Sequence, residues 1–296
     1  MVNRTLLANG DSWTYGSELI DPKFNLTDPI ARMRKTYDSD NDHYRIPNIW
    51  PTHLGELLGV DNVVNISFNS RSNDSIYDST TSWIIENYIA KGESTDGLTA
   101  VIGWTSLERK NIFIDDDKGP LLITMWPNFA NSDIYNEQSA KDVFKNYVVY
   151  QFIEQEYIKR FVEQNYNLKL FFEKYDIEYY VFNAFFHTTQ HAGAAFFKDI
   201  SVSEKLKKWA DVKLHPASWQ DPNFDFAHII RNLTFAWDTI DSDTFILKDV
   251  GTFRSYVTER VTNAMHLMHP TEESHRVWAA RLATHILTTR DKTHNV

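Results

Sequence analysis

Thr5-Leu6-Leu7-Ala8-Asn9-Gly10-Asp11-Ser12-Trp13-Thr14-Tyr15-Gly16 is the stretch on which the fold turns. Its first five residues form a short apolar run that stops at a glycine, the pattern of a buried strand. Three more such runs follow: Asn62–Ser67, Leu98–Gly103 and the nearly continuous Ile177–Phe186. Helical spacing lies between and after them. Trp50–Leu58 carries Leu54, Leu57 and Leu58, with Gly59 as a stop. Asp74–Ala90 carries Ile76, Trp83, Ile84 and Ile89, and the stretch from Thr271 to about Thr288 is the last helix. Short strands alternating with helices predict a parallel sheet covered by helices on both faces. In such sheets the functional groups gather at the carboxyl ends of the strands, here just after Asn9, Ser67, Gly103 and Phe186.

The remaining stretches fit one domain, residues 1–296, with an insertion. Asn111–Trp126 reads as a hairpin turning at the Asp115–Gly119 cluster, and Ser139–Tyr175 as helical and rich in aromatics. Residues 111–175 are longer than a crossover needs and predict an added helical, aromatic lobe. No Pro-, Gly- or Ser-rich linker and no internal repeat divides the chain.

The 296 residues are 42% hydrophobic and 14% aromatic, ample for a buried core. Thirty Lys and Arg against 40 Asp and Glu leave a formal charge of −10, which argues against broad nucleic-acid binding. With no cysteine, thiolate chemistry, thiolate metal sites and disulfides are excluded. The N-terminal apolar run is too short for a signal-peptide core, and no window approaches the ~20 apolar residues of a membrane span. The expectation is a soluble protein, cytoplasmic or virion-associated.

Ser12 falls one residue into a strand-to-helix turn, where free backbone N–H groups and the helix dipole favour developing negative charge. That place suits a hydroxyl nucleophile, and it equally suits Asp11 and Ser12 as a simple helix cap. A nucleophilic Ser needs a base. His269, in His266-Leu267-Met268-His269-Pro270-Thr271-Glu272-Glu273-Ser274-His275, precedes a proline suited to the first turn of a helix. It is therefore placed in a loop from which its imidazole can take a proton.

These two segments, GDSWTYG and HPTEESHRVWAARL, resemble the first and last blocks of the SGNH hydrolases, also called the GDSL esterase/lipase superfamily, and in style its phage- and virus-encoded members. Residues 63–73 and 101–109 fall where the second and third blocks lie. The resemblance covers about the first 110 residues and the last 30. It implies a flavodoxin-like three-layer α/β/α sandwich and ester hydrolysis without a cofactor or metal. It also implies Ser12 as nucleophile and His269 as base. The oxyanion hole it implies comprises the N–H of Ser12, that of Ser70 (or Asn69) and the side chain of Thr105.

Three positions depart from the pattern. Ser70 stands where the second block has Gly, and Thr105 stands where the third has Asn, so Asn73 is a substitute donor. His266 stands where an orienting Asp is usual, which leaves a Ser12–His269 dyad with His266 as its candidate third member. Asp11, Trp13, Asn69, Asn73, Trp104 and His187 are the candidate pocket residues. The preferred substrate is a small acyl ester, acetyl above all, on a carbohydrate. The alternatives are a binding or virion structural protein on the same fold and a lipolytic esterase. His187 and His191 lack the glutamate of a zinc protease helix, and Asp115–Gly119 lacks the spaced ligands of a calcium loop.

Overall fold

The computed structural model describes residues 3–116, 119–125, 154–184, 202–210, 226–248, 251–266 and 269–294. In chain order these form β1 (Thr5–Asn9), α1 (Ser12–Tyr15), α2 (Pro29–Thr36), α3 (Asp42–Arg45), α4 (Trp50–Leu58), β2 (Asn62–Asn65), α5 (Asn73–Asn87), β3 (Leu98–Trp104), β4 (Lys110–Asp116) and β5 (Gly119–Met125). Then come α6 (Glu154–Lys174), β6 (Glu178–Asn183), α7 (Val202–Ala210), α8 (Phe226–Asp238), β7 (Phe245–Ile246), α9 (Phe253–Thr258), β8 (Met265–His266), β9 (His269–Pro270) and α10 (Glu272–His294).

Five strands make one sheet in the order β2-β1-β3-β6-β7, every pair parallel. Because side chains alternate along a strand, each strand feeds two cores. Leu7, Ala100, Ile102, Trp104, Tyr179, Val181 and Phe245 belong to the first, with Ile76 and Ile84 of α5, Phe161 and Phe172 of α6, and Trp237 of α8. Leu6, Ala8, Val101, Tyr180, Phe182 and Ile246 belong to the second, with Trp50 and Leu54 of α4, Phe253 of α9, and Trp278 and Leu282 of α10. Both faces are thus buried, which is why these strands read as continuous apolar runs rather than alternating ones. The fold is the α/β sandwich with a central parallel sheet.

β4 and β5 form a separate antiparallel hairpin that pairs Asp116 with Gly119, in agreement with the hairpin expected over Asn111–Trp126. A second small hairpin, β8–β9, sets Met265 opposite Pro270 and His266 opposite His269. This corrects the expectation that Pro270 opens the last helix. Pro270 lies in the hairpin, and α10 starts two residues later, where the His275 N–H donates to the Thr271 carbonyl. Among the described residues no helix is long and apolar enough to cross a membrane.

Candidate active site

β1 ends at the carboxyl edge of the sheet, flanked by β2 and β3. Asn9, fully buried, ties that end down: its Oδ1 accepts from the Gly10 N–H and from Arg71 Nη1, and its Nδ2 donates to the Ile76 carbonyl and Thr80 Oγ1. Gly10 then passes where a side chain has no room. A Cβ there would lie 2.2 Å from Thr14 Oγ1 and 3.0 Å from the Gly103 carbonyl oxygen. Gly10→Ala is therefore expected to cost about 1–3 kcal/mol, because both neighbours are held by the sheet and by α1. Urea unfolding of the variant checks this.

Asp11 is the N-cap of α1, its Oδ1 accepting from the Trp13 N–H at 3.0 Å. Its Oδ2 accepts from Thr105 Oγ1 at 2.7 Å and from Arg109 Nη1 at 3.1 Å. Carboxylate and guanidinium are both buried, and desolvation pulls Arg109 below its ordinary pKa while the Asp11 charge opposes the shift. α1 is a single turn closed by Gly16 in the left-handed region at φ 83°. Ser12 stands at its first position, 3% exposed. Among the described residues neither the Ser12 N–H nor the Ser70 N–H has a hydrogen-bond acceptor. Ser70 has φ 59°, the left-handed conformation that glycine adopts freely, so the turn keeps that shape with a serine in it.

α1 packs against β9, which carries His269. His269 Nδ1 lies 3.1 Å from Glu18 Oε1, both side chains less than a fifth exposed. Their alignment falls short of a hydrogen bond. Among the described residues no hydrogen bond joins Ser12 to His269. A groove of about 290 Å³ opens beside the pair, lined by Glu18, Asp21, Arg32, Tyr44, His266 and Glu272. On another side of α1, Tyr15 stacks with Tyr37 at 5.7 Å, and both lean on Phe68. Arg45, buried, covers the Tyr15 ring at 3.9 Å. Phe68 is 54% exposed, a large apolar ring held open to solvent in the loop that leads to Ser70.

A family model matches residues 32–210, more than half of the chain; it is described as a family of unknown function, DUF6071. The chain belongs to the DUF6071 family.

The match leaves Ser12 and His269 outside it, one on either side. Among curated proteins the DUF6071 chain matches none. Among solved structures it is similar to a carbohydrate esterase family 2 enzyme with a carbohydrate-binding domain from Corynascus thermopiles (Myceliophthora fergusii). The identity is 12% and the TM-score 0.43, over 98% of this chain and 67% of that one. It is similar also to a carbohydrate esterase whose active site is described as having divergent catalytic and non-catalytic binding functions. There the identity is 11% and the TM-score 0.42, over 97% of this chain and 69% of that one. A G-D-S-L family protein from Desulfitobacterium hafniense DCB-2 gives 14% and 0.36, over 96% of this chain and 99% of that one. Likeness at that level leaves the DUF6071 site to be read from its own residues.

Several expected pocket residues have other duties. Thr105 gives its hydroxyl proton to Asp11 and its N–H to Asn73 Oδ1, so its side chain is not an oxyanion donor here. Asn73 clasps the Thr105 backbone from both sides and is 2% exposed, which removes it as the substitute. Trp13 packs edge-on against Phe253 in the second core. Trp104 follows Ala100 and Ile102 onto the opposite face of the sheet and donates Nε1–H to Asn165 Oδ1. Both tryptophans are core. Asn69 remains half-buried beside Ser70. His266 is exposed, and the carboxylate oxygen 3.1 Å from His269 Nδ1 is that of Glu18. His187 lies outside the described residues. Among the described residues no group of three or more His, Asp or Glu is placed to hold a metal ion.

His275 is a histidine to which the sequence assigns no place in the site. It is fully buried on α10, and its Nδ1 accepts the Trp50 N–H, an orphan donor at the start of α4. Burial, with His53 and His269 nearby, lowers its pKa from the ordinary 6.5 to about 3. Between those values the unfolded chain takes up a proton that the folded one refuses. Its contribution to stability is therefore complete above pH 6.5 and falls as pH drops toward 3, by at most about 1.4 kcal/mol per pH unit. Urea midpoints of the DUF6071 protein and of His275→Gln, measured from pH 7 to 4, are expected to converge as the pH falls.

Proposed function

We propose that this chain is a serine esterase of the SGNH type that removes a small acyl group, acetyl first, from a carbohydrate. The observation that carries the reading is the packing of α1, which begins at Ser12, against β9, which bears His269, at the carboxyl edge of a parallel sheet. In this reading His269 Nε2 takes the Ser12 proton as Oγ attacks the ester carbonyl. The oxyanion is met by the N–H groups of Ser12 and Ser70, both without another acceptor among the described residues. The carbon–oxygen bond of the alcohol then breaks, and the leaving oxygen takes the proton from His269. Water repeats the sequence on the acyl-serine and releases the acid.

Two features support a sugar as the alcohol. Phe68 and Tyr37 offer exposed ring faces next to α1, suited to stacking on a pyranose. The groove beside Glu18 and His266 is lined by carboxylates that accept from hydroxyl groups.

The test is hydrolysis of p-nitrophenyl acetate, butyrate and octanoate, and of an acetylated glycan, by the wild type beside Ser12→Ala. Acetate is expected to be the best of the three nitrophenyl esters. Preference for octanoate would favour a lipolytic enzyme instead. Equal inertness of both proteins on every ester, glycan included, would overturn the esterase reading in favour of a binding protein.

A further inference from the structure

We propose that Glu18 is the positioning residue of His269, the role that sequence position offers to His266. The inference rests on the esterase reading and adds a member to its machinery. Glu18 Oε1 stands 3.1 Å from His269 Nδ1, and the other carboxylate oxygen is buried without a hydrogen-bond partner among the described residues. What the enclosed carboxylate faces is the imidazole. With Nδ1–H directed at Glu18, Nε2 is left as the free base on the side needed for a hydroxyl proton.

The backbone points the same way. Glu18 has φ 68°, in the left-handed region that costs a residue with a Cβ roughly 1–2 kcal/mol. Such a conformation persists only where its surroundings impose it, and strain of this kind gathers at functional sites. Here α2 imposes it. The Glu18 N–H donates to Thr36 Oγ1 at 3.1 Å, and Arg32 Nη1 secures the following loop through the Leu26 carbonyl at 3.2 Å. His266, by contrast, sits directly across the β8–β9 hairpin from His269 and is exposed to solvent. The acid of the site thus comes from the turn just after the nucleophile's own helix, not from the residues before the histidine.

Three variants test the assignment: Glu18→Gly, which also relieves the strained φ, Glu18→Gln and His266→Ala. On p-nitrophenyl acetate, Glu18→Gly is expected to lose at least about 100-fold in kcat with KM changed less than about threefold, and added formate is expected to restore about tenfold or more. Glu18→Gln keeps an acceptor oxygen but no charge and is expected to fall between wild type and Glu18→Gly. His266→Ala is expected to lose no more than about a tenth of the fold-change that Glu18→Gly loses. Nitrogen-15 spectra of the imidazoles, with His269 assigned from His269→Gln, give a readout independent of turnover. Neutral His269 is expected to carry its proton on Nδ1 in the wild type and to move toward the Nε2–H tautomer in Glu18→Gly.

An unchanged tautomer together with unchanged kcat in Glu18→Gly overturns the assignment. A steep loss in His266→Ala with Glu18→Gly unaffected returns the role to His266. If the wild type is inert on every ester, the esterase reading fails. The tautomer then still decides whether Glu18 orients His269.

Discussion

Ser12→Ala is expected to lower ester hydrolysis by at least about 10³-fold while shifting unfolding free energy by less than about 1 kcal/mol. The two halves of that expectation have separate grounds. Among the described residues the Ser12 hydroxyl holds no hydrogen bond that the fold uses, and α1 is capped by Asp11 and closed by Gly16 whatever stands between them. Removing one oxygen therefore leaves the turn intact. In the proposed mechanism the same oxygen is the atom that bonds to the acyl carbon, and Thr105 is not placed to replace it, since its hydroxyl is bound to Asp11. Steady-state rates on p-nitrophenyl acetate and a urea curve on the same preparation check both parts. A variant that keeps a tenth of the activity would sink the nucleophile assignment.

One residue earlier the signature reverses. Asp11→Ala is expected to destabilise the protein by about 3–5 kcal/mol, because it leaves a buried guanidinium without its carboxylate and strips the cap from α1. Asp11→Asn keeps an oxygen for the Trp13 N–H and is expected to lose less. In Asp11→Ala with Arg109→Leu, the loss is expected to be well below the sum of the single variants, because both remove the same contact. Urea unfolding of the four proteins makes the comparison. A loss under about 1 kcal/mol in Asp11→Ala would show that the buried pair contributes little.

Much of the sandwich is legible in the sequence. The runs at Thr5–Asn9, Leu98–Trp104 and Glu178–Asn183 are continuous because both faces of their sheet are covered, and continuity is what the eye finds. β7 is two residues long and has no period to find. The β8–β9 hairpin is hidden because Pro270 followed by Thr271 and Glu272 resembles a helix start, while its pairing depends on residues across the turn. Ser12 and His269 stand out through their surroundings in sequence. Glu18 does not: its carboxylate reaches His269 only because α2 folds back on the Gly16–Glu18 turn. Thr105 and Asn73 mislead for the same reason, since a polar residue at a strand end looks alike whether it faces substrate or clamps a neighbouring strand.

The site also has an arrangement in time. Ser12 leaves the ribosome before His269, which rides on the hairpin that leads into α10, and α10 packs on α4. Trp278, Leu282 and Ile286, fully buried, complete the core beneath the nucleophile's side of the sheet only when that helix docks. A nascent chain therefore carries Ser12 without His269 for as long as the residues between them take to be made. On the proposed mechanism reactivity arrives with the closing of the sandwich, and loss of α10 by proteolysis is expected to silence the hydroxyl and unseat the core together.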